Sequence, residues 1–193
     1  MSIVIVGIGG SIDPDSQSER ALRAVLAAAR RRGAQCVSFT GRALDFAPYH
    51  SGASLPDLAR DYVEAVRSAD AVVISSPGYH GTVSGLVKNA LDYLEELRTD
   101  DRPYLDGRPV GAIAVAKGWQ AAVGTLGTLR QVIHALRGWP TPLGLTINSA
   151  VTAFDPEDLP NDPGVASAVD LLAGQLLDFV GAMPAITEGT SRR

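Results

Sequence analysis

Short, uninterrupted apolar runs alternate with helical patterns along this chain, and that alternation restricts the fold more than any single motif does. Ile3–Val6, Ala71–Ile74 and Val110–Ala116 carry almost no polar residue. Strands of that kind belong to a sheet covered on both faces. Between them lie amphipathic stretches. Glu19–Arg32 places Leu22, Val25, Leu26 and Ala29 on one face, and Leu55–Ser68 does the same with Leu58, Tyr62, Ala65 and Val66. Strand–helix–strand repetition demands parallel pairing with right-handed crossovers.

Read to its end, the pattern predicts strands at Ile3–Val6, Gln35–Phe39, Ala71–Ser75, Val110–Ala116 and Leu143–Ile147. The predicted helices are Glu19–Arg32, Leu55–Ser68, Ser84–Leu97, Ala121–Leu136 and Gly164–Gly181. Five of each in this order suit an α/β three-layer sandwich of the flavodoxin-like kind, with a five-stranded parallel sheet ordered 2-1-3-4-5. Its switch point, where such folds bind ligands, falls between the first and third strands. At 193 residues one domain with a substantial core is expected, over 1–185, with 186–193 as a frayed tail. Residues 40–54 form a long connection without periodicity, and such connections are uncommon unless functional or mobile.

The loop after the first strand reads Gly7-Ile8-Gly9-Gly10-Ser11-Ile12-Asp13-Pro14-Asp15-Ser16-Gln17-Ser18-Glu19. A dinucleotide fingerprint needs a third glycine where Ile12 stands, and a Walker loop needs a Gly-Lys-Ser/Thr that does not follow. What remains is a Gly/Ser loop entering a helix N-terminus, where amides and hydroxyls can hold a phosphate without a lysine. A competing reading uses the same residues. Ser16-x-x-Glu19 is a capping box, with the serine on a backbone N–H and the glutamate reaching back. Asp13, Asp15 and Glu19 make the loop acidic, and Arg20 is the nearest cation.

After the third strand the chain reads Ser75-Ser76-Pro77-Gly78-Tyr79-His80-Gly81-Thr82-Val83-Ser84-Gly85-Leu86-Val87-Lys88-Asn89-Ala90-Leu91-Asp92. Its glycines let the main chain approach a ligand, and Tyr79 and His80 offer a π face and a polar edge. This block resembles the isoalloxazine-binding segment of the NADPH-dependent FMN reductase family, Pro-x-Tyr-x-Gly-Ser-x-x-Gly-x-Leu-Lys-Asn-x-Leu-Asp. Pro77, Tyr79, Gly81, Gly85, Lys88, Asn89, Leu91 and Asp92 fall in register, with Thr82 for the serine. Without the resemblance, the stretch is a turn before a helix bearing a solvated Lys88–Asp92 pair. Gly10-Ser11 and Ser16-Gln17-Ser18 are similar to the family's phosphate loop, though Asp13 stands where it often has arginine. Leu44–Tyr49 and Leu105–Val110 are similar to its Asp-Leu-Pro and Gly-Lys-Pro-Val segments, so the likeness spans residues 3–145.

The resemblance implies FMN as cofactor and NADPH or NADH as the reductant. It assigns the phosphate to Ser11, Ser16, Gln17 and Ser18, and the ring to Pro77, Gly78, Tyr79, His80, Gly81 and Thr82. Lys117, Gly118 and Trp119 follow the fourth strand and would face the pyrimidine side, where a cation or amide favours the reduced ring. Trp119 has an equal claim as a rim residue packing on its own helix. The family also implies a homodimer or homotetramer, with helix Ser84–Leu97 near the interface. Leu86, Val87, Ala90, Leu91 and Leu94 cover more of that helix than one core stripe needs.

Charge and composition exclude other classes. A net charge of −4 lacks the basic footprint of nucleic-acid binding, and Arg30-Arg31-Arg32 suits a helix C-terminus instead. A single cysteine, Cys36, falls in a strand expected to be buried and reads as an inert thiol. No uninterrupted apolar run is long enough to span a membrane. A start of Met1-Ser2 directly before Ile3-Val4 leaves no basic lead for a signal peptide, so a cytoplasmic location is expected. His50, His80 and His134 are scattered, His134 among Leu129, Ile133 and Leu136, and no metal or hydrolytic motif unites them.

The expected function is therefore hydride transfer from a nicotinamide to FMN, and onward to free flavin, a quinone or another small acceptor. Stacking and orientation carry that first step, so no catalytic side chain is assigned. Two alternatives stay open: an FMN electron carrier with no nicotinamide site, and a flavoenzyme acting on a specialised metabolite.

Overall fold

Apolar residues alternate inward and outward along every central strand, which is why helices cover both faces of one sheet. In the computed structural model, described here for residues 2–183, the strands are β1 (Val4–Gly9), β2 (Gln35–Phe39), β3 (Ala71–Pro77), β4 (Pro109–Ala116), β5 (Trp139–Pro140) and β6 (Leu145–Asn148). The helices are α1 (Gln17–Arg31), α2 (Asp57–Ser68), α3 (Gly85–Asp92), α4 (Trp119–Ala135) and α5 (Pro163–Ala182). The predicted tail, residues 186–193, lies outside the described residues. All pairings are parallel and the order is β2-β1-β3-β4-β5, with β6 also on β4.

One side of the sheet (Val6, Ile8, Val72, Ile74, Val110) packs on Tyr62, Leu94, Leu129 and Ile133 from the α2, α3 and α4 layer. The other (Ile5, Val73, Ile113, Val115) packs on Leu22 and Leu26 of α1 and Leu172 and Leu176 of α5. Each such side chain, fully buried, contributes about 1.5–3 kcal/mol. Helix α5 is long and apolar enough to cross a membrane by length and composition alone. Here its Val169, Leu172, Ala173 and Leu176 are buried against the sheet and α1.

Three expectations need correction. The fifth strand is split: Val110 faces Pro140 but Ile113 faces Leu145, so the edge bulges at residues 141–144. Pro140 has no N–H to give the ladder. Thr141 instead closes the bulge, its N–H on the Val110 carbonyl and its hydroxyl on that of Leu143. The helix predicted over Ser84–Leu97 ends as α at Asp92 and continues as a 3-10 turn, Tyr93–Leu97. A 3-10 turn eclipses residues three apart, which sends both Leu94 and Leu97 into the core. Finally, β2 is an edge strand with Val37 48% exposed and Cys36 half-buried, so the thiol sits at the margin of the core.

The long connection is clipped down. Asn89, a residue of the family-like block, accepts from the Tyr49 N–H and donates to the Phe46 and Ala47 carbonyls. Tyr93 donates its hydroxyl to Ala47, and Phe46 and Tyr49 stack edge-on against Tyr93. Helix α3 and the 3-10 turn after it spend their apolar residues inside one chain: Val87, Ala90, Leu91 and Leu94 are buried and Leu86 half-buried. The apolar surplus read from the sequence is therefore core.

Candidate functional site

At the carboxyl ends of β1, β3 and β4, a cleft of about 360 Å³ opens between two loops of opposite construction. Its volume falls within the ~300–1,000 Å³ usual for small-ligand sites. Ser16, Gln17 and Ser18 line one side, Pro77, Gly78 and Tyr79 another, and Val115, Ala116, Lys117 and Ser149 close it. This is the switch point of the sheet, where the chain leaves β1 and β3 in opposite directions.

The first side is the start of α1. Ser16 is its N-cap, accepting from the Glu19 N–H at 3.4 Å, and the Ser16 and Ser18 hydroxyls lie 3.1 Å apart. The amides of Gln17 and Ser18 belong to the first turn, where a helix offers them no acceptor of its own. Beneath them the Ser75 hydroxyl donates to the Ser18 carbonyl, tying the turn to β3. Gln17 reaches away from the cleft: its side-chain oxygen accepts from the Phe154 N–H at 2.6 Å. Ser11 is 6% exposed and lies under the loop, its hydroxyl accepting from the Asp13 N–H.

Among the described residues, no free cation joins this side. Arg20 pairs with Asp15 at 2.7 Å and donates to the Asp155 carbonyl, and Arg23 grips Asp158 with two bonds. A phosphate here would meet amides, hydroxyls and the positive end of a helix rather than a guanidinium.

The second side is mostly backbone. Tyr79 and Thr82 exchange both N–H···O bonds, at 3.0 and 3.1 Å, closing a two-residue turn at His80 (φ 52°) and Gly81 (φ 82°). Positive φ at both central residues is the requirement of a type I′ turn. Gly78 donates to the Val115 carbonyl at 2.7 Å, and a Cβ there would stand 2.8 Å from the Thr125 hydroxyl. Its lack of a side chain serves packing on α4, a role the sequence does not show. Ser84 caps α3, its hydroxyl accepting from the Val87 N–H. Lys88 and Asp92 form the surface i,i+4 pair at 2.6 Å.

The structure thus brings Ser16, Gln17, Ser18, Pro77, Gly78, Tyr79 and Lys117 around one cleft. His80, Gly81 and Thr82 form the exposed tip of the turn above it, and Gly118 and Trp119 begin α4 beside it. Tyr79 and Trp119 are 56% and 55% exposed. Sequence reasoning missed Ser149, which is anchored by its N–H to the Ala116 carbonyl. Its signal was position alone, one residue past the last strand.

The lining fits FMN: the Ser16 and Ser18 hydroxyls and the first-turn amides of α1 suit a phosphate, and the small or apolar residues Pro77, Gly78, Val115 and Ala116 suit a planar ring. A family model described as NADPH-dependent FMN reductase matches residues 3–152. An FMN-dependent NADPH-azoreductase of Staphylococcus haemolyticus (strain JCSC1435) is 29% identical over 133 residues, 65% of this chain and 64% of that protein. The protein of that name in Staphylococcus aureus (strain USA300) is 28% identical over the same length. The match thus spans slightly less than two thirds of these relatives. Among solved structures, the flavoenzyme NAD(P)H:(acceptor) oxidoreductase FerB of Paracoccus denitrificans superposes with TM-score 0.78 at 17% identity, covering 93% of this chain and 97% of that one. The apo form of an NADH:FMN oxidoreductase, EMOB, gives TM-score 0.69 at 20% identity, over 95% and 91%. At these identities the likeness establishes the flavodoxin-like fold.

Proposed function

Because this chain belongs to the NADPH-dependent FMN reductase family, we propose that it transfers reducing equivalents from NADPH or NADH to FMN, and from there to free flavin, a quinone or another small acceptor. The observation that carries this reading is the cleft at the switch point, lined by Ser16–Ser18 at the start of α1 on one side and by Pro77–Tyr79 on another. FMN, when bound, supplies the two-electron redox chemistry that no side chain here offers.

The chain's own part is binding and orientation. The Ser16 and Ser18 hydroxyls and the first-turn amides of α1 hold the phosphate. Pro77–Tyr79 and the turn above them fix one edge of the ring, with Lys117 the cation nearest the opposite edge. Tyr79 and Trp119 flank the open mouth, where a nicotinamide or acceptor enters. A cytoplasmic location, with its supply of reduced nicotinamide, fits this role. Exposed Tyr79 at the cleft, and exposed Trp119 and Val123 one turn apart on α4, support assembly into a homodimer or homotetramer, since apolar surface favours cover. Light scattering at micromolar concentration tests that, and a mass of 20.2 kDa would overturn it.

Anaerobic mixing of the FMN-loaded protein with NADPH, and separately with NADH, tests the function. Rapid two-electron bleaching of the flavin absorbance is the expected result. Failure with both nucleotides despite bound FMN would transfer the protein to the class of electron carriers.

A further inference from the structure

The Ser16-x-x-Glu19 capping box forms only by half. Ser16 caps the Glu19 N–H, but the Ser16 N–H bonds to the Asp13 carbonyl and Glu19 does not reach back. The glutamate turns beneath the β1–α1 loop instead. Its Oε1 accepts from the Ser11 N–H at 2.9 Å, and its Oε2 is buried with no hydrogen-bond partner among the described residues. The residue is 1% exposed. Gly9 makes the seat, since a Cβ there would stand 2.1 Å from Oε2.

A buried carboxylate with one oxygen lacking a protein partner is a poor place for a charge. Burial pushes its pKa up from 4.5 to about 7, the Ser11 N–H and Arg23 pulling back and Asp13 adding to the rise. The charged groups facing it are few and mutually engaged. Asp13 and Asp15 come from the loop, Arg20 and Arg23 from α1, and Asp155 and Asp158 from the segment after β6. Arg20 and Arg23 are held there by Asp15 and Asp158.

The loop whose Ser11 amide it holds runs directly into the Ser16–Ser18 wall of the cleft, and Glu19 is the next residue along α1. A phosphate dianion on that wall and a carboxylate under the adjoining loop would be neighbouring anions, and neighbouring anions disfavour joint ionisation. The neutral acid avoids the repulsion, and its carbonyl oxygen still holds the Ser11 amide. We propose that Glu19 is a positioning residue of the phosphate cradle that stays neutral while phosphate is bound, so that the flavin phosphate enters with uptake of a proton. This rests on the flavin reading above and adds a pH-dependent grip to it.

The sign separates Glu19 from the ligand. A phosphate monoester ionises near pH 6, so affinity for FMN rises up to about that pH and proton release accompanies binding there. Glu19 acts in the opposite sense at higher pH. Dissociation constants for FMN, followed by flavin fluorescence, should weaken roughly tenfold from pH 7 to pH 8.5 in the wild type. Glu19→Gln keeps an acceptor for Ser11 and should bind FMN with one affinity across that range. Riboflavin, which has no phosphate, should show no such fall. Calorimetry of the wild type at pH 7.5, in two buffers of different ionisation enthalpy, should register net proton uptake with FMN. A flat wild-type profile, an equal fall in Glu19→Gln, or no proton uptake overturns the proposal, and the calorimetry decides it even where the variant fails to fold. An absence of FMN binding at every pH is a different failure, because it removes the flavin reading itself.

Discussion

Arg108 and Glu19 lie at opposite ends of the sheet, each 1% exposed, and the fold treats them unequally. Arg108 enters β4 at the amino end and spreads its guanidinium over three backbone carbonyls, those of Ala69, Tyr104 and Arg67. Burial, and Arg102 beside it, draw its pKa down to about 10, still far above neutrality. Glu19 has one amide for two oxygens. A satisfied buried charge works as a structural tie, whereas an unsatisfied one is a tension held in place by its surroundings. The depressions nearby follow suit. The amino end has the larger one, about 480 Å³, but Arg67, Asp100, Arg102 and Arg108 line it and are occupied with one another or with backbone. The smaller cleft at the carboxyl end is lined instead by the first turn of α1, whose amides have no acceptor within their own helix.

The strongest way to break this contrast is Arg108→Met. It takes the donor from the Tyr104 and Arg67 carbonyls and leaves that of Ala69 only Arg102, and urea unfolding should show a loss of about 3–5 kcal/mol. A loss below 1 kcal/mol would mean that the guanidinium is not the tie described.

Glu19→Gln should do the reverse. Because the folded-state pKa of Glu19 is raised from 4.5 to about 7, the native protein keeps a proton between those values that the unfolded chain has released. Native stability therefore falls as pH rises from 4.5 to 7 and is level above that, as far as this group is concerned. The glutamine variant should be more stable than wild type by roughly 2–3 kcal/mol at pH 8, with the gain gone near pH 4.5. A pH-independent difference would sink the account.

Gly9→Ala sharpens the same end. The new Cβ displaces the carboxyl group, costing about 2 kcal/mol, and adding Glu19→Ala should recover most of it. Additive losses in that double-mutant cycle would show that the seat is not what Gly9 provides. The smallest effect belongs to Arg67→Ala at the amino end. Its half-exposed side chain pairs with Asp100 and Glu64, and the change should cost under about 1 kcal/mol, less still in high salt. A larger loss would assign the amino end's stability to surface charge rather than to Arg108.

Much of the site was legible because its residues are close in sequence. Ser16–Ser18 and Pro77–Tyr79 line the cleft, and Lys117 closes it, as the loop readings expected. Asn89 was legible as part of a motif but not as the clip on residues 46–49, since its partners lie about 40 positions away. Gln17 was read as a candidate for the phosphate region and Arg20 as the nearest cation to it, yet the side chains of both are committed to the segment around Phe154–Asp158. Ranges of contact, not residue types, separate these cases.

Local patterns by themselves determined the βαβ alternation, the parallel sheet, the strand order and hence the end of the sheet where the cleft opens. Those follow from apolar periodicity and chain handedness, which act over a few residues at a time. Tertiary structure alone decided where Glu19 points, whether α3 has apolar surface to spare, and how Pro140 splits the edge strand. Each of those depends on whether a distant neighbour fills a volume or offers a hydrogen bond, and Glu19 could cap its own helix only if the space beneath Ser11 and over Gly9 were not the better-fitting one.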